Sequence, residues 1–318
     1  MKVMLYFSSM SVHIGVDVGG TQLRAACYKP NQLTPAIYNR IPTQVPRENA
    51  LDRLRMVIAS VIPAGEDVFG IGVAVPGPLD PYEGVLIEAP NIPGWDELPL
   101  RKILESWFHL PVALGNDANL AALGEWKYGA GRGHQHMLYL TISTGIGSGI
   151  ITRDQLLLGA HGLGAELGHV TVVIDGPPCG CGGCGHLEAV ASGPAIARWV
   201  KEELAAGAAS SLHHVKSVNT EQIARAAIQG DPLAREALAR AGSFIGQALA
   251  DFLHIFNPSA VIIGGGVSKS GALLFDPLYN SLKNHVLSPR YLQDLVILPA
   301  ALGDQVGLIG ALALARET

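Results

Sequence analysis

The chain has 318 residues, room for about two domains of ordinary size. Hydrophobic residues make up 48% and charged residues only 15%, which excludes a disordered or coiled-coil protein. A net charge of −5, with 22 lysines and arginines that form no long run, leaves no electrostatic footprint for nucleic acid; no apolar stretch reaches the ~18 residues of a membrane span.

The opening residues, MKVMLYFSSM, lack a signal-peptide layout, so a cytoplasmic protein is expected. Met10 directly precedes the first motif and is the expected natural start, with residues 1–9 an upstream extension. Residues 12–18 (VHIGVDV) form a β-branched run ended by Gly19-Gly20, and LRAACY follows Thr21 and Gln22, which predicts a hairpin with a glycine turn. Leu51, Leu54, Val57, Ile58 and Val61 recur with a helical period inside 47–62. FGIGVAV reads as a buried strand stopped by Pro76-Gly77-Pro78. Residues 80–95 read as turns ending in PNIPGW, followed by a helix near 98–108, a short strand at 112–114 and a helix opened by Asn116 or Asp117.

Residues 137–151 (MLYLTISTGIGSGII) repeat the strand, glycine turn and strand of the first motif, which predicts a duplicated domain. A glycine- and cysteine-rich insertion is expected over 156–192. Helices follow at 193–207, 220–229 and 232–256, then a strand at 260–264, a helix at 271–287, a strand at 295–299 and a helix at 305–316. Strands alternating with helices make the fold α/β.

The 38 glycines cluster without a period, as expected where backbone must approach something closely. Glycines in a strand turn aim backbone N–H groups at an anion, and a neighbouring hydroxyl adds a donor. Asp17 to Thr21 and Thr144 to Gly149 both meet that need, although such turns are often only turns; neither matches a P-loop or a dinucleotide-binding loop. Three of the four cysteines, Cys179, Cys181 and Cys184, lie within six residues. So tight a cluster suits a metal better than a disulfide. His169 and His186 bring the possible ligands to five, and Cys27 reads as a small core residue.

The order DVGGT, PGP, GNDANLAALGE, TGIGSG, GAELGHV, CGCGGCGHLE and VIIGGGVS resembles the ROK family (repressor, open reading frame, kinase) within the actin-like ATPase superfamily. The resemblance runs from about residue 13 to 315. It implies an α/β protein of two actin-like, ribonuclease H-like lobes flanking a ligand cleft. Residues 1–115 plus 304–318 would form the small lobe and 116–303 the large one. Gly19, Gly20 and Thr21 would then hold the β- and γ-phosphates of ATP, with Asp17 reaching Mg²⁺ through water. Thr144, Gly145 and Gly147 would form the second phosphate loop, and Gly264, Gly265 and Gly266 the adenosine side. Ser143 and Ser148 stand where relatives often have glycine.

An aspartate before a helix ordinarily caps it, but Asp117 falls on the family's catalytic base. Asn116, Glu166, His169 and Glu188 fall on its sugar contacts, with Asn91 of PNIPGW a further candidate. Against the family pattern C-x-C-G-x-x-G-C-x-E, the last cysteine becomes His186 and an extra Cys184 appears. The implied structural Zn²⁺ set is His169, Cys179, Cys181 and His186, with Cys184 as the alternative to His186. The implied activity is ATP-dependent phosphorylation of a hexose 6-hydroxyl, most simply that of glucose, by a homodimer. N-acetylhexosamine or fructose kinases share the same motifs. A sugar-responsive repressor is the competing class, disfavoured because only 16 residues precede Asp17 where a DNA-binding module needs ~50–60.

Overall fold

A computed structural model describes residues 11–89 and 91–317, so the expected start at Met10 lies outside the described residues. By its internal contacts the chain divides into two units. The first comprises residues up to Arg132, Leu156–Gly164 and the segment from Asp304; the second comprises Gly133–Gln155 and Ala165–Gly303.

The β-branched run of the first unit forms β1 (Val12–Val18), which turns through Gly19-Gly20 into β2 (Gln22–Tyr28). Then come β3 (Ile37–Pro42), α1 (Ala50–Ala59), β4 (Val68–Val75), the short strands β5 (Leu79–Asp80), β6 (Val85–Glu88) and β7 (Asp96–Leu98), α2 (Leu100–Phe108), β8 (Val112–Asn116) and α3 (Asp117–Tyr128). The main sheet has the order β3-β2-β1-β4-β8. Its β1–β2 and β2–β3 pairs are antiparallel, and its β1–β4 and β4–β8 pairs are parallel.

The second unit begins with β9 (His136–Ile142), β10 (Ile146–Thr152) and the edge strand β11 (Gln155–Leu156). Helices α4 (Leu187–Ala191), α5 (Gly193–Ala205), α6 (Thr220–Ile228) and α7 (Pro232–Phe256) lead to β12 (Ala260–Gly264), α8 (Ala272–His285) and β13 (Val296–Pro299). The sheet order β11-β10-β9-β12-β13 reproduces that of the first unit: an antiparallel hairpin followed by two parallel strands. The duplication read from the two hairpins is therefore present as two sheets of one topology.

The last helix, α9 (Val306–Ala315), belongs to the first unit and is buried along most of its length. Glycine permits its close approach. A Cβ on Gly72 of β4 would stand 1.9 Å from the Ala311 carbonyl oxygen, and one on Gly310 would stand 2.0 Å from that of Leu120 in α3. The expected lobe boundary at 115/116 falls at the β8–α3 junction. Because α3 packs on α9, contacts instead carry the first unit on to Arg132.

Two features depart from the sequence reading. Residues 37–42 form a strand with every other residue exposed, and the stretch expected to be turns holds the three-stranded sheet β5-β6-β7. In the second unit Asp231 caps α7 by accepting from Ala234 N, and its carboxylate also accepts from Ser210 and Ser211. Burial alone would raise that carboxyl; these hydrogen bonds outweigh it and hold the group at about 2. Cys27 is buried in the core of the first unit, and burial pushes its thiol up to about 11.

Candidate active site

In the first unit the β1–β2 turn carries Gly19, Gly20 and Thr21. Gly19 N–H donates to Gln22 O at 2.9 Å, closing the hairpin. Two side chains that the sequence reading did not single out fix the surroundings. Thr43, fully buried just after β3, donates its hydroxyl to Gly19 O, while its N–H donates to Thr21 O at 2.9 Å. Arg24 sits opposite Asp17 in the β1–β2 register and donates to its Oδ2 through Nε at 2.8 Å and through Nη2. Its Nη1 donates to Asp304 O at 2.7 Å, beside the start of α9. Asp17 is thus an ion-paired carboxylate, largely buried, rather than an isolated one.

Asn91 lies over the same turn, so close that a Cβ on Gly20 would stand 2.7 Å from Asn91 Cβ. At the head of α3 the capping question resolves. Asn116 is the cap: its Oδ1 accepts from Ala118 N at 3.0 Å and Asn119 N at 3.3 Å, and its Nδ2 donates to Gly77 O at 3.3 Å. Asp117 is the first helical residue, exposed, with Oδ1 accepting from Ala118 N at 2.7 Å. A carboxylate there is favoured by the positive end of the helix dipole.

In the second unit the insertion folds back on itself. Leu187 N donates to Val170 O, Val172 N to Gly185 O, Gly185 N to Pro177 O and Cys179 N to Gly183 O, all at 2.8–3.0 Å. Gly185, at φ +67°, is the one residue type this path accepts, since a Cβ would stand 1.7 Å from Val173 O. The fold-back sets His186 opposite Thr171 and so near His169, whose ring lies edge-on to it at 5.6 Å.

As a result, ligand atoms of His169, Cys179, Cys181 and His186 all lie within 4.8 Å of one another. Cys179 Sγ is 3.7 Å from His169 Nδ1, and Cys181 Sγ is 3.2 Å from His186 Nδ1. Tetrahedral bonds of ~2.0–2.3 Å imply ligand separations of roughly 3.3–3.8 Å, so two thiols and two imidazoles in this arrangement fit a closed four-ligand metal site. Cys184 is exposed and stands outside the group.

Glu166, His169 and Glu188 come together beside this cluster. Burial pushes the Glu166 carboxyl above its ordinary range; His169 opposes that and Glu188 adds to it. Glu188 also touches the second glycine loop. Its Oε2 accepts from Ile146 N at 2.9 Å and rests over Gly145, while Cys179 Sγ lies 3.6 Å from Oε1. One carboxylate therefore joins the cysteine cluster to the β9–β10 turn.

On that turn, Thr144 opens a groove of about 1190 Å³ that Gly266 also lines. Its other walls are helical: Ala197 and Lys201 of α5, and Asn219 and Thr220 at the start of α6. These helical residues were not anticipated, because only the fold brings them to the glycine motifs. Gly264 ends β12, and Gly265, at φ +87°, turns the chain toward Gly266. Gly147 lies within β10.

Residues 13–318 match the model of the ROK family. The chain belongs to the ROK family. Its fold is that of the family's sugar kinases, the actin-like ATPase fold. It is 36% identical to a glucokinase of Thermotoga maritima, over 96% of this chain and 97% of that one. The structure of a ROK family glucokinase from Streptomyces griseus in complex with glucose and AMPPNP superposes with a TM-score of 0.81 at 36% identity, covering 97% of this chain and all of that one. A ROK family transcriptional regulator, a homologue of the E. coli MLC protein, gives a TM-score of 0.85 at 28% identity, covering 96% of this chain and 78% of that one.

Proposed function

We propose that this ROK chain is a glucokinase, transferring the γ-phosphoryl group of ATP to the 6-hydroxyl of glucose. The whole-length likeness to glucokinases carries this reading. The site chemistry is consistent with it. Phosphoryl transfer asks a protein to position the phosphates, shield their charge and accept one proton. The Gly19 to Thr21 and Thr144 to Gly147 turns present backbone donors for the phosphates. Asp117 accepts the 6-hydroxyl proton as the bond from O6 to the γ-phosphorus forms and the bond to the β,γ-bridging oxygen breaks, leaving ADP. Asn116 caps α3, and Asp117 follows it as the first helical residue, its Oδ1 accepting from Ala118 N.

Asn116, Glu166, His169 and Glu188 would bind sugar hydroxyls, with Asn91 beside the first turn. The groove lined by Thr144 and Gly266 would take the adenosine. Asp17 would hold Mg²⁺ through water, a mode suited to a carboxylate already paired with Arg24; the ion shields phosphate charge during transfer. His169, Cys179, Cys181 and His186 would hold a structural Zn²⁺, which would order the loop leading into α4 and its Glu188. A homodimer in the cytoplasm and a place in glucose breakdown complete the reading.

A coupled ADP-release assay over glucose, mannose, fructose and N-acetylhexosamines tests it. Glucose-dependent ADP with the highest kcat/KM is the expected result; ADP release with none of these sugars would overturn it. The structural likeness to a regulator supplies the competing reading, sugar sensing without transfer, which predicts sugar binding by calorimetry and no ADP.

A further inference from the structure

The first glycine turn does not hold itself in place. Within the hairpin, Gly19 N–H donates to Gln22 O, and glycine-rich backbone carries a high entropic cost when ordered. The remaining order comes from the two residues after β3. Thr43 has no exposed surface, and both of its donors are spent on the turn: the hydroxyl donates to Gly19 O and the N–H to Thr21 O. The next residue, Gln44, donates through Nε2 to Asn91 O at 2.7 Å. Asn91 in turn rests on Gly20. Adjacent residues therefore grip the turn from beneath and, through Asn91, from above.

We infer that Thr43 is a positioning residue for nucleotide, with Gln44 supporting it through Asn91. This rests on the kinase reading, in which the turn cradles phosphates. The argument is one of satisfaction. With the Thr43 hydroxyl bonded, Gly19 O is turned away from any bound anion and satisfied where it lies. Without it, that carbonyl loses its side-chain partner, and the backbone gains freedom to rotate an oxygen toward the phosphates, where it repels them. The defect lies at the turn, so it weakens nucleotide binding far more than sugar binding, which the turn reaches through Asn91 alone. β3 carries alternating exposed residues, so nothing in its pattern marks the buried threonine that follows it.

Thr43→Val keeps the shape and deletes the hydroxyl; Thr43→Ser restores the hydroxyl without the methyl. Calorimetry with Mg·AMPPNP, alongside steady-state kinetics, reads the outcome. Thr43→Val is expected to weaken AMPPNP binding and raise the KM for ATP about tenfold, the scale of one lost buried hydrogen bond, with glucose affinity within about twofold of wild type. Thr43→Ser is expected to bind AMPPNP close to wild type. If Thr43→Val does not fold, the Ser and Ala variants make the same comparison, since they differ only in the hydroxyl. Unchanged AMPPNP affinity in Thr43→Val or Thr43→Ala, equal losses for ATP and glucose, or a Thr43→Ser variant as weak as the hydroxyl-free one would overturn the assignment. Nucleotide affinity is read without turnover, so the assignment and the kinase reading fail separately: absent ADP release in the wild type refutes the latter alone.

Discussion

Asp117→Asn separates chemistry from folding at one position. The amide keeps the size of the carboxylate but cannot accept a proton. Its capping cost is small for a reason visible at the head of α3. Asn116 does the capping, and the charge that Asp117→Asn removes from the helix N-terminus contributes about 0.3–1 kcal/mol. In a chain of this size that lowers the melting temperature by no more than about 2–4 °C. Loss of a positioned general base lowers kcat by about 10²–10⁴. The neighbouring Asn116→Ala supplies the contrast, since losing a cap costs about 0.5–2 kcal/mol and melts the protein earlier. ADP-release kinetics, thermal melting and glucose calorimetry together give the readout. Asp117→Asn should retain stability and glucose affinity and lose turnover. Activity within about tenfold of wild type, or a fall in kcat matched by unfolding, would refute the role given to Asp117.

Other outcomes follow from the same geometry. One zinc per chain is expected by elemental analysis, retained in Cys184→Ser and lost in His186→Ala; loss in Cys184→Ser would reverse the ligand choice. Complete chelation should raise the KM for glucose or unfold the cysteine loop that leads into α4, and unchanged kinetics in verified zinc-free protein would remove the metal from the sugar site. Gly72→Ala places a methyl group 1.9 Å from the Ala311 carbonyl and should destabilise the first unit by about 1–3 kcal/mol in denaturant titration. Asp231, ordinarily near 3.8, is held at about 2, so its contribution is complete above about pH 4 and disappears as the pH falls through 2. That contribution is roughly 2 kcal/mol, and Asp231→Asn should lower stability at pH 7 while converging with wild type near pH 2.

Long periodic segments were legible in the sequence. α7 runs over residues 232–256 and β12 over 260–264 as their apolar patterns predict, and both glycine hairpins form where expected. Short or half-exposed strands were not legible: β3 alternates around Tyr38 and Arg40 without a continuous apolar run, and the polar β7 gains strand form only by pairing with β6. At the site, motif residues were legible because glycine and cysteine spacing is a local property. Thr43 and Arg24 were not, since each matters through a partner that folding supplies. Spacing left His186 and Cys184 equivalent; the antiparallel fold-back across Thr171 separates them.

The placement of α9 bears on the order in which the chain can mature. Residues from Asp304 complete the first unit, yet they leave the ribosome only after the whole of the second unit has been made. Domains form as their residues emerge. Here the later-encoded unit is the first able to finish. Meanwhile the faces of β1 and β4 that will receive α9, with Gly15 and Gly72 left bare for it, wait uncovered through most of synthesis. The window of greatest exposure to aggregation and to holding chaperones therefore belongs to the sheet of the first unit and closes only with α9.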